Sequence, residues 1–358
     1  MLHAVIMAGG SGTRFWPRSR RQLPKQFLKF GGESTLLQET AARCRPLISA
    51  AHTWVVTGRD HADETARQLA DIVPSQVLVE PCGRNTAPCI GLAALLVQAV
   101  DPEGVMLVMP SDHIIRPAAE FQAAAQRAVA LIQQSPNRLV LFGVPPTYPA
   151  TGFGYIHRGA TIGLDSDQAF RVAEFREKPD AGTAASYLAS GDCLWNCGIF
   201  VWRATTILQA IEQHAPEVAA QLEALRPAIG TTQWAGALEA EFPRMPSISI
   251  DYAVLEKADD VCVVPATFEW DDVGSWQALL RLLPQDTAGN SVDGPFCGIN
   301  TNGCVIASSN EHLIATYGVR DLIIVHTPTA TLVADKHDET AMRQLITELE
   351  RRGLTEFL

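Results

Sequence analysis

Residues 3–27 read HAVIMAGGSGTRFWPRSRRQLPKQF. His3–Met7 is an apolar run of strand length, and Ala8-Gly9-Gly10-Ser11-Gly12-Thr13-Arg14 follows it directly. Three glycines in such a loop let the backbone approach a polyanion and turn N–H groups towards it. A phosphate-binding loop behind the first strand is therefore expected. Two common owners of such loops are excluded. A Walker A loop needs Gly-Lys-Ser/Thr after four spacer residues, and no such triplet occurs here. A dinucleotide fingerprint needs a third glycine three residues after Gly12, where Phe15 stands. What remains is the glycines, then Arg14, then Pro24-Lys25. Two separated cations can grip a triphosphate from two sides. Arg18, Arg20 and Arg21 are read as solvated surface.

Outward from the loop, apolar runs alternate with helical patterns. Strands are expected at His3–Met7, Thr53–Thr57, Gln76–Glu80, Val105–Met109 and Arg138–Phe142, and helices at Thr35–Cys44, Asp60–Asp71, Thr86–Val100 and Ala118–Gln133. The strands are near-continuously apolar, as in a sheet covered on both faces. The alternation predicts an α/β fold with a doubly wound, mixed but mostly parallel, Rossmann-like sheet. The middle is less regular, with strands at Ala169–Phe175 and Asn196–Trp202 and helices at Ala181–Ser190 and Ala204–Leu225. From Pro284 the character changes. Short β-branched runs (Cys304–Ala307, Leu313–Tyr317, Leu322–His326, Thr331–Val333) precede a helical stretch, Glu339–Arg351. Two domains are expected, residues 1–285 and a small β-rich domain at 286–358.

The chain has 358 residues, a net charge of −11 and a pI near 5.3, with 47% hydrophobic residues. More than one core is expected at this length. The acidic balance argues against nucleic acid and anionic membranes as partners, but not against a small nucleotide. No apolar run approaches a membrane span, and the N-terminus lacks the basic region of a signal peptide. None of the eight cysteines forms CxxC. Reduced thiols in a cytoplasmic protein are the expectation.

GGxGxR…PK behind the first strand resembles the signature of sugar-1-phosphate nucleotidylyltransferases. Pro24-Lys25-Gln26-Phe27-Leu28 resembles the mannose-1-phosphate guanylyltransferase branch. The similarity continues through Glu80-Pro-Cys-Gly-Arg-Asn-Thr-Ala-Pro88, Pro110-Ser-Asp-His113, Gly152-Phe-Gly-Tyr-Ile156, Phe175-Arg-Glu-Lys-Pro179, Trp195-Asn-Cys-Gly-Ile-Phe200, Ser249-Ile-Asp-Tyr252 and Trp270-Asp-Asp-Val-Gly-Ser-Trp276. These blocks run in family order to residue 276. The resemblance implies GTP and mannose 1-phosphate as substrates, GDP-mannose and pyrophosphate as products, and a homodimer.

The implied chemistry suits the residues. A sugar-phosphate oxygen attacks the α-phosphorus of a nucleoside triphosphate. The nucleophile is already an anion, so positioning and electrostatics carry the catalysis. Nothing resembling HExxH, GxSxG or a Cys/His pair is evident. A divalent cation, Mg²⁺, is the remaining need, and it takes one or two carboxylates with phosphates and water. Asp112 follows an apolar strand, at the strand end where ligands gather. By resemblance, Asp112 and Asp272 form the metal pair and Asp112 also meets the nucleotide. By sequence alone Asp271 competes, and the family spacing Trp-x-Asp selects Asp272. His113 reads as structural, since Mg²⁺ rarely takes imidazole.

The nucleotide loop is Ala8, Gly9, Gly10, Ser11, Gly12 and Thr13, with Arg14 and Lys25 as catalytic cations. Lys178 is similar to the family lysine that meets the sugar phosphate. Gly154, Tyr155, Glu177 and Asn196 are expected near the sugar. Asn85-Thr86 reads as a helix cap from the residues, while the resemblance places it beside base and ribose. Backbone groups around Ala8–Gly10 are candidates for the guanine edge. Trp195, Trp202, Trp270 and Trp276 are expected in the core.

Many bacterial relatives of this branch carry a cupin-like isomerase domain, for which the tail is too short, so no isomerase activity is expected. The tail resembles instead a short left-handed β-helix. The alternatives are the same chemistry on another sugar 1-phosphate or nucleotide, and a non-catalytic nucleotide-sugar sensor.

Overall fold

In the computed structural model, which describes residues 1–358 except 11, 31, 163–168, 310 and 339–340, the opening apolar run is strand β1 (Leu2–Ala8). Its residues alternate between two core layers. Val5 packs with Ile90, Leu92 and Leu95 of the helix Thr86–Val100, and Ala4 with Phe121, Ala124 and Ala128 of the helix Ala118–Gln134. Ala4, Val5 and Ile6 are all fully buried. Burial on both faces is why the run lacks polar alternation.

By contact density the chain forms two units. The first comprises Met1–Gly9, Thr40–Ser111 and Ile115–Trp270, and the second Gly10–Glu39, Asp112–Ile114 and Asp271–Leu358. The first holds a nine-stranded sheet. After β1 its strands are β2 (Thr53–Gly58), β3 (Val77–Glu80), β4 (Val105–Pro110), β5 (Leu139–Val144), β6 (Tyr155–Ile162), β7 (Ala169–Arg176), β8 (Cys193–Arg203) and β9 (Val261–Pro265). Their order is β3-β2-β1-β4-β8-β5-β9-β7-β6. The first four are mutually parallel. The long β8 runs antiparallel to both β4 and β5, and β7 antiparallel to both β9 and β6. The sheet is thus mixed, with two strands opposing the rest.

Two local readings need correction. The helix expected at Ala204–Leu225 is two helices, Ala204–His214 and Pro216–Leu225. Pro216 has no N–H to continue the first and sits at the first turn of the second, where that lack costs nothing. The helix expected at Asp60–Asp71 contracts to Ala62–Gln68. Strands β6 and β9 and the helix Trp234–Glu241 were not expected.

The second unit carries short strands β10 (Ser291–Asp293), β11 (Phe296–Ile299), β12 (Val305–Ala307), β13 (Ile314–Tyr317), β14 (Leu322–Thr327) and β15 (Ala330–Asp335). β10, β12 and β14 stack in parallel, β11 pairs in parallel with β13, and β15 closes β14 antiparallel. Parallel pairing of such short, sequential strands is the arrangement of a β-helix. The closing helix is Ala341–Arg351; residues 339 and 340 lie outside the described residues. The core of this unit joins Phe15, Trp16, Leu28 and Phe30 to Trp276, Val305, Val325, Leu332 and Leu358. No helix among the described residues is long and apolar enough to cross a membrane.

Candidate active site

The two ends of the signature loop meet within the second unit. Gly10 and Gly12 have φ of +105° and +56°, a conformation open to glycine and strained for other residues. A Cβ on Gly12 would also strike the backbone of Pro24 and Lys25. Glycine is therefore required at 12 both by conformation and by the close approach of Pro24-Lys25. Ser11 lies outside the described residues, and of Thr13 only the backbone is described, in a 3-10 turn with Arg14. Arg14 is exposed beside Met342, Arg343, Ile346 and Thr347.

Lys25 is 7% exposed. Its ammonium donates to Asp112 Oδ2 at 2.9 Å and to the main-chain carbonyl of Asp272. Residues from two distant stretches are thus gathered on one cation. Burial opposes the Asp112 charge, but Lys25 and His113 outweigh it and hold the carboxyl below its ordinary value. Asp272 behaves oppositely. Burial pushes its carboxyl up, and Asp271 and Asp112 add to that against the pull of Lys25. Asp271 is committed elsewhere: it takes two hydrogen bonds from Arg281, at 2.6 and 3.1 Å, and one from the Val273 N–H at 2.7 Å. Val273 has φ +46°, which for a β-branched residue is a true outlier. Strain beside a candidate ligand is a recurrent mark of functional sites.

Arg18 and Arg20 are half-buried and tied to the C-terminal segment, which corrects their reading as solvated surface, whereas Arg21 is exposed as that reading has it. Arg18 pairs with Asp293 and donates to the Ser308 carbonyl at 3.0 Å. Arg20 donates to Thr329 at 2.9 Å and Arg21 to Glu350 at 2.5 Å. Trp16 Nε1 donates to the Phe357 carbonyl and Trp276 Nε1 to the Trp16 carbonyl.

A second group of expected residues gathers in the first unit. Lys178 donates to Glu177 Oε1 at 2.5 Å, and Asn196 Nδ2 to Asp251 Oδ1 at 2.9 Å. Asn196 N–H donates to the Gly154 carbonyl at 2.8 Å. A Cβ on Gly154 would lie 2.5 Å from Glu177 Oε2 and 3.4 Å from Asn196 Cβ, so a side chain there would fill the cluster. Burial works against the Lys178 charge, but Glu177, with Asp251 behind it, holds the amine above its ordinary value. Lys178 also has φ +46°. Asp251 is pushed up to about 6 by burial and then by the Glu177 charge. Tyr155 does not join this group through its side chain. The ring is 1% exposed and packs with Ala150, Ala184, Cys193 and Trp195.

The segment after β3 contributes a third group. Asn85 is exposed, with φ +67°, and its side chain caps the Thr86 N–H at 2.8 Å. Thr86 Oγ1 accepts from the Ile250 N–H at 2.8 Å. Near Gly9 stands Glu80, the last residue of β3 and 7% exposed. Sequence reading passed over Glu80 and Asp251, although both stand in the quoted blocks. A carboxylate ending an apolar strand was the available signal for Glu80. Trp195, Trp202 and Trp276 are buried, as expected of core residues.

A family model described as nucleotidyl transferase matches residues 3–289, and one described as MannoseP isomerase/GMP-like beta-helix domain matches residues 294–349. The xanthan biosynthesis protein XanB of Xanthomonas campestris pv. campestris (strain B100) is 40% identical over 364 residues, 98% of this chain and 74% of that protein. A mannose-1-phosphate guanylyltransferase of Escherichia coli is 38% identical over 363 residues, 100% of this chain and 76% of that one. A solved Thermus thermophilus structure, described as a mannose-1-phosphate geranyltransferase, superposes with a TM-score of 0.87 at 33% identity, covering 98% of this chain and 99% of that one.

Proposed function

Because the chain belongs to the mannose-1-phosphate guanylyltransferase family of nucleotidyl transferases, we propose that it transfers GMP from GTP to α-D-mannose 1-phosphate, giving GDP-mannose and pyrophosphate. The observation that carries this reading is the meeting of Lys25 with Asp112 and Asp272.

In the proposed reaction a phosphate oxygen of mannose 1-phosphate attacks the α-phosphorus of GTP. One P–O bond forms as the bond to the β,γ-pyrophosphate breaks, and pyrophosphate leaves with the electron pair. The nucleophile is already ionised, so no residue need take a proton. Glycine N–H groups of residues 9–12, with Arg14 and Lys25, face the triphosphate and offset the charge that grows on the leaving group. Lys178 meets the phosphate of the sugar substrate. Asn196 and Glu177 orient its hydroxyls, with Asp251 fixing the Asn196 amide.

A divalent cation fits Asp112 and Asp272. Both offer the hard oxygen ligands Mg²⁺ takes, and the upward push on Asp272 marks a carboxylate short of positive charge. Among the described residues no third His, Cys, Asp or Glu joins them, which matches a metal whose other ligands are phosphates and water. When bound, Mg²⁺ supplies charge neutralisation at the phosphates. Asp271, held by Arg281 and the Val273 N–H, is the weaker candidate.

The test is pyrophosphate release by the purified chain with Mg²⁺ and a panel of triphosphates and sugar 1-phosphates. GTP with mannose 1-phosphate should turn over fastest. Faster turnover with UTP or dTTP would overturn the nucleotide, and faster turnover with another sugar 1-phosphate the sugar. GDP-mannose binding with no pyrophosphate release from any pair would make the protein a sensor.

A further inference from the structure

The helix Ala341–Arg351 is seated on the signature loop. Met342, Leu345, Ile346 and Leu349 are spaced as one helical face and pack against the core that contains Phe15 and Trp16. Glu350, at its far end, accepts from Arg21 at 2.5 Å. The helix also touches the 3-10 turn that carries Arg14. Its first two turns are thereby held beside Arg14. Arg14 and Arg343 line one groove of about 300 Å³, together with Met342, Ile346 and Thr347.

Charge pairing sets these two arginines apart. In the same two segments Arg18 pairs with Asp293, Arg21 with Glu350, and Arg351 and Arg352 with Glu348. Arg20 donates to Thr329. Among the described residues neither Arg14 nor Arg343 has an ion pair or a side-chain hydrogen bond. Two guanidinium groups on one groove with no carboxylate between them repel each other, and a polyanion placed there would relieve that. Each offers a planar fork of N–H donors that matches phosphate oxygens. The groove stands at the small end of ligand pockets, which run to about 1,000 Å³. It has room for part of a nucleotide rather than the whole. Met342 and Ile346 keep water from one side of it, which strengthens the attraction.

Resting on the nucleotidyl-transfer reading, in which Arg14 grips the triphosphate, we propose that Arg343 of the terminal helix binds the β- and γ-phosphates with Arg14 and holds pyrophosphate as it leaves. The C-terminal segment then supplies a side chain to the reaction as well as a core to the loop.

Inorganic pyrophosphate, GTP and GMP with Mg²⁺ are the probes, titrated calorimetrically without sugar phosphate. Arg343→Gln should bind pyrophosphate and GTP about 10–100-fold more weakly than the wild type, the worth of a charge-assisted hydrogen bond. It should bind GMP, which lacks both phosphates, as the wild type does. Arg351→Gln removes a charge from the same helix away from the groove and should change none of the three. Unchanged pyrophosphate and GTP affinity in Arg343→Gln overturns the proposal. Equal weakening of GMP and GTP also overturns it, since that is the mark of a disturbed loop. So does an equal loss in Arg351→Gln, which would make the effect one of net charge. Wild-type protein that binds GMP as tightly as GTP overturns it without any variant. Faster turnover with UTP or dTTP is a separate result: it defeats the guanylyl reading, while the pyrophosphate titration still decides the role of Arg343.

Discussion

Lys25 is one of five cationic side chains between residues 14 and 25, and its neighbours Arg18, Arg20 and Arg21 have the same local composition. Their environments separate them. Lys25 is buried against Asp112, whereas the Arg21 side chain is 56% exposed and pairs with Glu350. Residue type and spacing marked Arg14 and Lys25; they could not show that three arginines between them bind elsewhere. The same limit applies to Asp271 and Asp272, adjacent and chemically identical until Arg281 claims one. Asp272→Asn should raise the Mg²⁺ concentration for half-maximal rate by about tenfold or more. Asp271→Asn should change that requirement little and cost about 1 kcal/mol of stability through its pair with the half-exposed Arg281. A metal titration beside a thermal melt checks both, and the reverse order would place the ligand one residue earlier.

Elements were readable where periodicity was strong. β1, β4 and β5 are apolar through nearly their whole length because both faces are covered, and all of β1 to β5 were expected within a residue or two. β6 was missed because only its first residues, Tyr155 and Ile156, are fully buried while residues 158–161 are largely open. The antiparallel β8 between β4 and β5 was read as a strand, but its direction depends on pairing partners far along the chain. The loop after β1 illustrates how an element becomes functional. Gly12 is needed at φ +56° and against Lys25, so its role is to set the distance between two halves of one motif. Gly12→Ala should cost about 1–3 kcal/mol through strain and displacement of Pro24-Lys25, and lower kcat more than tenfold. A melting curve with steady-state kinetics measures both, and full activity would show that the loop tolerates a side chain there.

At the scale of the molecule, the composition change near Pro284 suggested a boundary at residues 285 and 286. The contacts group residues 10–39 with 271–358. Phe15, Trp16 and Phe30 share a core with Val305, Ile323, Val325 and Leu332. Each such side chain loses about 1.5–3 kcal/mol when its burial is lost. A chain cut after Gln285 should therefore bind a hydrophobic dye and melt without a cooperative transition. It should also release no pyrophosphate. A sharp melt with retained activity would show that residues 286–358 are dispensable for folding the nucleotide loop.

The amino-acid sequence by itself determined the class of fold, the phosphate loop behind the first strand, and the charged residues available for nucleotidyl transfer. These depend on short-range facts: apolar periodicity, glycine's freedom at positive φ, and the charge of side chains. Only the tertiary structure decided which identical residues face one another. It placed Lys25 on Asp112 and beside Asp272, gave Asp271 to Arg281, tied three loop arginines to Ser308, Thr329 and Glu350 of the C-terminal segment, and enclosed Glu80 with an unmatched oxygen. Desolvation and ion pairing depend on neighbours brought in from distant stretches, and local sequence does not record those neighbours.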